Sequence, residues 1–291
     1  MIFGKMQRSM SSKFVHILLC LLGSMMMYLP LQAQQTTVVD TTITTPESEI
    51  GFVRKTWKDG LSIAASPFQW DRKDRLTALG LVGGAGALML FDEDIRDFIQ
   101  DHRTSTIDDI NKYALEPWGS PRIIDSYSVY LTAGFMAHGM IARHQKSMKT
   151  AELAFRSMII NTILVQTAKH LLGRERPDRW PPSRSYMWNG PGGGGVSFPS
   201  GHSSQIFTVA TIIALQYKDI KWVPYVSYSV ASLVGVSRLF ADKHWASDVY
   251  MGAVVGHLIA RAVYNSDKKR NLNISPVMGD NYTGLKLVFS L

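Results

Sequence analysis

Apolar residues gather into six segments: Leu76 to Phe91, Ser126 to Ala142, Ser157 to Leu172, Ser203 to Tyr217, Val223 to Ser237 and Val249 to Tyr264. Charged or Gly/Pro-rich breaks separate them. Their lengths and the scarcity of internal proline favour helices over strands, so the pattern predicts an all-α bundle of about six long helices. The third helix is expected to begin near Glu152 and to run out at Gly173 and Pro177, residue types that end helices. Gly284 to Leu291 alternates weakly like a strand, which alone reads as a packed or frayed tail. No internal repeat is evident.

Ahead of the bundle, residues 1–33 read as a secretory signal. Lys5, Arg8 and Lys13 form a basic start, Phe14 to Leu29 an apolar run, and Leu31-Gln32-Ala33 a cleavage site. Leu31 matches a small-x-small site poorly, so an uncleaved anchor is the alternative. Residues 34–50 are rich in threonine and read as a linker. The expected layout is therefore signal 1–33, linker 34–50, helical catalytic domain 51–270 and tail 271–291.

A chain that is 46% hydrophobic with zero mean hydropathy is too apolar to be disordered. Its net charge is +8, and loss of the signal leaves 28 basic against 23 acidic residues, or +5. That excess suits an anionic substrate or surface, and no basic run is dense enough to indicate nucleic acid. Cys20 is the only cysteine, which excludes a disulfide scaffold, a cysteine zinc site and a thiol nucleophile in the mature chain.

Three stretches carry chemistry. In the first, Lys169 to Pro177, a helix end delivers Lys169 and Arg176; by itself this would be a positive C-terminus complementing the macrodipole. In the second, Ser197 to Ser203, Ser200 is a candidate N-cap and Gly201 permits close approach. Free N–H groups at a helix start, beside a hydroxyl, make an anion cradle, although capping alone accounts for the pattern. The third, Ser237 to Asp248, places His244 and Asp248 four apart, on one face if the segment from Trp245 is helical. The carboxylate could then hold one imidazole nitrogen as N–H and free the other as a nucleophile. Together the stretches supply what metal-free phosphoryl transfer needs. Lys169, Arg176 and Arg238 neutralise equatorial oxygens, Ser200 and Gly201 hold the phosphoryl group, His244 attacks, and protonated His202 supplies the leaving group's proton. Other candidates are weaker. The glycines between Pro191 and Gly195 lack a P-loop's spacing and read as a mobile rim of the pocket. Asp92-Glu93-Asp94 reads as an acidic helix end, and Trp180 and Trp188 could flank a lipid entrance.

Lys-x6-Arg-Pro, Pro-Ser-Gly-His and Ser-Arg-x5-His-x3-Asp, in this order from Lys169 to Asp248, resemble the three-part motif of the type 2 phosphatidic acid phosphatase (PAP2) superfamily. The resemblance implies a PAP2/haloperoxidase-like helical fold, membrane-embedded or membrane-associated. It carries the roles over residue by residue: His244 nucleophile, Asp248 its partner, His202 general acid, and Lys169, Arg176, Ser200, Gly201 and Arg238 around the phosphate. No metal or other cofactor is implied. Lipid phosphatases of the family often carry a glycine and an apolar residue where this chain has Asp242-Lys243, a departure that bears on substrate class.

The expected activity is hydrolysis of a phosphate monoester or pyrophosphate on a lipid of the phosphatidate, prenyl pyrophosphate or lipid A type. A soluble periplasmic acid phosphatase is the alternative, and a vanadium-dependent haloperoxidase, generally a larger protein, the third reading. No apolar run of the mature chain reaches 18 residues uninterrupted. The segment Asp92 to Asp125 has four basic and nine acidic residues and Arg143 to Arg156 four and one, which by the positive-inside rule puts the catalytic loops outside. An exported soluble bundle would also put them outside the cytoplasm, in the cell envelope.

Overall fold

The computed structural model describes residues 51–120, 126–179, 184–270, 272–279 and 282–289, the last two by backbone alone. The expected signal, the linker and Trp180 lie outside the described residues. Among those described, nine α-helices follow in order: α1 Phe52–Ala65, α2 Arg72–Met89, α3 Asp92–Asp101, α4 Ser105–Ile110, α5 Tyr127–Ile141, α6 Gln145–Leu172, α7 Gly201–Gln216, α8 Trp222–Phe240 and α9 Ala246–Arg270. All six expected helices are present. α1, α3 and α4 are additional, because Lys and Asp residues interrupt any apolar period there. The third expected helix starts at Gln145 instead of near Glu152. His144 caps it, accepting from the Ser147 N–H at 3.2 Å, and its first turns bury Ser147 and Thr150 in place of large apolar residues. The tail strand is not alone. β2 (Tyr282–Phe289) pairs antiparallel with β1 (Leu272–Gly279), Leu272 opposite Phe289 and Gly279 opposite Tyr282. Asn273, Ser275 and Pro276 hide β1 from a reading by apolar alternation.

α7 is the central helix, packed against α6, α8 and α9 and buried along nearly its whole length. The apolar core joins Leu153, Ala154 and Ile160 of α6, Ile212 of α7, and Ile259, Ala260 and Val263 of α9. Burying an isoleucine or valine side chain is worth about 1.5–3 kcal/mol, so this cluster binds the three helices firmly. Closer to the start of α7, glycine replaces apolar side chains. A Cβ added at Gly252 would stand 2.5 Å from the Ser200 carbonyl oxygen, and one at Gly256 2.1 Å from that of Ser204. α7 and α9 therefore meet backbone to backbone, which brings their N-terminal ends together.

Charged side chains tie the other end of the bundle. Fully buried Arg156 of α6 pairs with Asp59 of α1 and, at 3.0 Å, with Asp267 of α9, and Arg270 adds a 2.7 Å bond to Asp59. Asp59 thus explains α1, which carries no strong apolar signal but closes a buried ion cluster. Among the described residues no single helix is long and apolar enough to cross a membrane; α2 with α3, bent by 55°, passes that test as a pair.

The backbone contact makes a specific prediction. Gly256→Ala should destabilise the fold by about 1–3 kcal/mol, since the new methyl must push two helices apart. Gly83→Ala, on an exposed face of α2 with nothing within 4 Å, should stabilise it by up to about 1 kcal/mol through helix propensity. Chemical denaturation of the two variants reads the difference, and equal midpoints would remove the close crossing as a constraint.

Candidate active site

Lys169 sits in the last turn of α6. Gly173 ends that helix in the left-handed region (φ 63°), donating to the Lys169 carbonyl at 2.9 Å. The glycine-rich segment expected as a mobile rim has a defined structural part here. Gly190 and Gly192 donate to the Leu172 and His170 carbonyls at 3.3 Å each, so the run satisfies the orphan acceptors of α6. The Lys169 ammonium lies buried and donates to the carbonyls of Val196 (2.5 Å) and Ser197 (3.3 Å). Burial, and after it the Arg176 charge, bring its pKa down to about 7 against the pull of Asp248.

α7 begins as the spacing implies. Ser200 is the N-cap, its Oγ accepting the Ser203 N–H at 3.4 Å, and its own N–H donates to the Asp248 carbonyl at 2.9 Å. A Cβ at Gly201 would make only ordinary contact, 3.6 Å from Lys169 Cε, so packing alone does not require glycine there. His202 rests on the turn Glu116–Gly119: a Cβ at Gly119 would lie 2.7 Å from its Cα. Burial, then the charges of Arg238, His244, Arg176 and Lys169, push the His202 imidazole well below its ordinary pKa.

At the start of α9 the structure modifies the expected pairing. His244 Nδ1 stands 3.7 Å from Asp248 Oδ2, within ion-pair range but beyond a hydrogen bond. Ser197 mediates. Its hydroxyl donates to Asp248 Oδ2 at 2.5 Å and lies 3.4 Å from His244 Nδ1. The same carboxylate oxygen accepts the Trp245 N–H at 2.9 Å, in the manner of a capping box, which is why Asp248 cannot also close on the imidazole. Burial lowers the His244 pKa to about 4, with Asp248 opposing and Lys169 and Arg176 adding to the effect, so the ring is neutral over the physiological range. Nδ1 faces Ser197 and Asp248, and Nε2 is the ring nitrogen turned away from them. Burial raises the Asp248 carboxyl, but His244, Arg174 and Ser197 outweigh it and hold the group below the usual carboxylate range.

Arg238 enters from the end of α8, 2% exposed; its Nη1 lies 3.6 Å from Glu116 Oε1, and Nε and Nη1 make no hydrogen bond. All the residues picked out in the sequence thus meet at one place. The charges of Lys169, Arg176, His202, Arg238, His244 and Asp248 act on one another, and Ser200 and Gly201 adjoin them. Ser197, Arg174, Asp92, Ser247 and Glu116 are additional. Ser197 and Arg174 lie inside the chosen stretches without a spacing that marks them, and nothing in the sequence connects Asp92 or Glu116 to a site so distant along the chain.

The Asp242-Lys243 departure has a structural basis. Asp242 adopts φ 54°, a conformation glycine takes freely, and accepts two bonds from Arg96 of α3, at 2.7 and 2.8 Å. Lys243 pairs with Asp178. Of the possible lipid-entrance residues, Trp188 is partly exposed and packs edge-on against Phe198. Among the described residues no group of three or more His, Cys, Asp or Glu side chains is arranged to hold a metal ion.

Residues 152–272 match the family model described as the PAP2 superfamily. The Lipid A 1-phosphatase of Porphyromonas gingivalis is 37% identical over 102 residues, which is 35% of this chain and 20% of that protein. The chain thus spans about a fifth of that relative's length. Two solved structures are similar at 21% identity and a TM-score of 0.46. They are Aquifex aeolicus LpxE (60% of this chain, 95% of that one) and a transmembrane PAP2 type phosphatidylglycerolphosphate phosphatase from Bacillus subtilis (66% and 96%).

A site of this charge should bind a simple dianion. Because Lys169 loses its proton near pH 7, affinity for sulfate, which stays dianionic, should fall above about pH 7 by up to tenfold per unit. Lys169→Arg keeps the charge and should flatten that limb. Calorimetric titration at several pH values tests both, and a pH-independent affinity in the unaltered protein would contradict the assignment.

Proposed function

We infer that the chain, whose residues 152–272 match the PAP2 superfamily model, is a phosphatase of that superfamily that hydrolyses a lipid phosphate monoester or pyrophosphate through a phosphohistidine and without a metal ion. The observation that carries this reading is Arg238. Its guanidinium is 2% exposed, its Nε lacks a hydrogen-bond partner and its Nη1 has only the Glu116 carboxylate at 3.6 Å, an arrangement that a bound anion would complete, and Lys169 and Arg176 act on the same pocket. Beside that cradle stands a neutral imidazole whose far nitrogen, Nε2, is free to attack.

In the proposed reaction Nε2 of His244 attacks phosphorus in line. The N–P bond forms as the bond to the lipid oxygen breaks, and that oxygen takes the proton of His202. Lys169, Arg176 and Arg238 balance the charge on the equatorial oxygens, and the N-terminus of α7 at Ser200 and Gly201 adds backbone N–H groups. Burial and the neighbouring positive charges keep His202 neutral. A bound phosphate dianion opposes the cations that depress it and so lets it take up the proton it delivers. Water then cleaves the N–P bond, releasing inorganic phosphate and restoring His244.

Lipid substrates are supported by the similarity to a Lipid A 1-phosphatase and by exposed apolar side chains along α2 (Leu76, Leu79, Val82) and α8 (Tyr225, Val226, Leu233). We place the protein in the cell envelope, with residues 1–33 as its export signal, 34–50 as a linker and the catalytic face outside the cytoplasm.

Phosphate release from a micellar lipid phosphate, a prenyl pyrophosphate and a soluble aryl phosphate tests the reading. His244→Ala should lower kcat at least about 10³-fold while sulfate binding persists, and EDTA should leave the rate unchanged. Preference for the lipids is expected. Full activity of His244→Ala would end the phosphohistidine route, loss in EDTA the metal-free one, and equal turnover of the aryl phosphate the lipid assignment.

A further inference from the structure

Behind Asp248 lies a cluster to which the proposed reaction assigns no part. Arg174 is fully buried between two fully buried carboxylates. Its Nη1 donates to Asp248 Oδ1 at 2.5 Å and its Nη2 to Asp92 Oδ2 at 2.7 Å, while Nε and Nη2 both reach the Ser185 carbonyl, at 2.9 and 2.7 Å. Asp92, the first residue of α3, also accepts from the Ser247 N–H (2.9 Å) and hydroxyl (2.5 Å), and that hydroxyl accepts from Arg174 Nη1 at 2.7 Å. Ser247 itself adjoins Asp248. Every polar atom of the cluster is directed at another.

We propose that Asp92 and Arg174 are positioning residues that hold Asp248, and through it His244, in the orientation and net charge needed for attack. The proposal rests on the phosphohistidine reading of the site.

Two arguments support it. The first is geometric. Arg174 occupies Oδ1 of Asp248, so the other oxygen, Oδ2, is the one turned to Ser197 and His244. A carboxylate held at one oxygen by a guanidinium and at the other by a hydroxyl and a backbone N–H cannot rotate away from the imidazole. The second is electrostatic. Arg174 alone would neutralise Asp248 and leave nothing to balance the positive charge His244 gains as its bond to phosphorus forms. Asp92 takes a share of the same guanidinium, so the trio keeps one net negative charge beside the imidazole, opposite Lys169 and Arg176. A buried cluster with surplus charge is a poor device for stability alone, since apolar replacements do as well or better.

Asp92→Asn removes the surplus charge with little change of shape. It should lower kcat about 10- to 100-fold with KM and sulfate affinity within about threefold. Ser247→Ala, which deletes one hydroxyl and leaves all three charges, should lower kcat several-fold with the same split and provides the test if Asp92→Asn does not fold. Unchanged kcat in the folded variants, or KM and sulfate affinity worsening in step with kcat, would overturn the proposal, the second pattern meaning a structural part only. His244→Ala in the same assay separates the two levels. An active His244→Ala overturns the underlying reaction, whereas an inactive His244→Ala beside a fast Ser247→Ala overturns this inference alone.

Discussion

Everything at the catalytic end depends on how closely α7 and α9 approach. Gly252 and Gly256 let the α9 backbone lie against the carbonyls of Ser200 and Ser204, at separations no side chain would allow. Because the contact is between backbones, the relative height of the two helices is set to within a fraction of a turn. That height brings the N-cap Ser200 to the Asp248 carbonyl and puts the α7 N-terminus beside His244. Interdigitating side chains could hold two helices together with similar energy, but their rotamers would leave this register softer.

The site so assembled gathers cations. Lys169, Arg176 and Arg238 lie largely buried and act on one another, and the groups that can yield a proton respond. Burial and mutual repulsion depress Lys169 to about 7 and His244 to about 4, and push His202 well down. In the proposed reaction this depression suits His244, since a protonated ring cannot attack. For Lys169 and His202 a bound dianion would oppose it, so in that reading substrate binding and proton uptake are coupled.

The sequence discloses this site unevenly, for physical reasons. Helix ends and caps are local, so Gly173, Ser200 and the start of α9 follow from a few neighbouring residues and stand where expected. Apolar periodicity finds helices that bury apolar faces, which is why α7 and α9 are legible and α1, held by Asp59, is not. The i,i+4 spacing brings His244 and Asp248 to one side of a turn but cannot show that Ser197, 51 residues before Asp248, reaches that carboxylate first. Nor could Asp92 be recognised, because its partners Arg174 and Ser247 lie 82 and 155 residues away and only the fold unites them.

These long-range partners also divide the labour within the chain. Every residue selected from the motifs falls within the matched segment 152–272, whereas Glu116 and Gly119, which touch Arg238 and His202, and Asp92 and Arg96, which hold the neighbouring Arg174, Ser247 and Asp242, all precede it. α3 is the main support. Asp92 reaches Arg174, Glu93 accepts from Arg184 and the Ser185 N–H, Arg96 holds Asp242, and Gln100 donates to the Leu239 carbonyl. One short helix thus braces the loop that follows α6 and the turn between α8 and α9. The groups proposed to react come from the matched segment, but their placement depends on a segment outside it. On that reading a change of substrate class can arise in α3 and at Asp242 without altering any residue assigned to the phosphate.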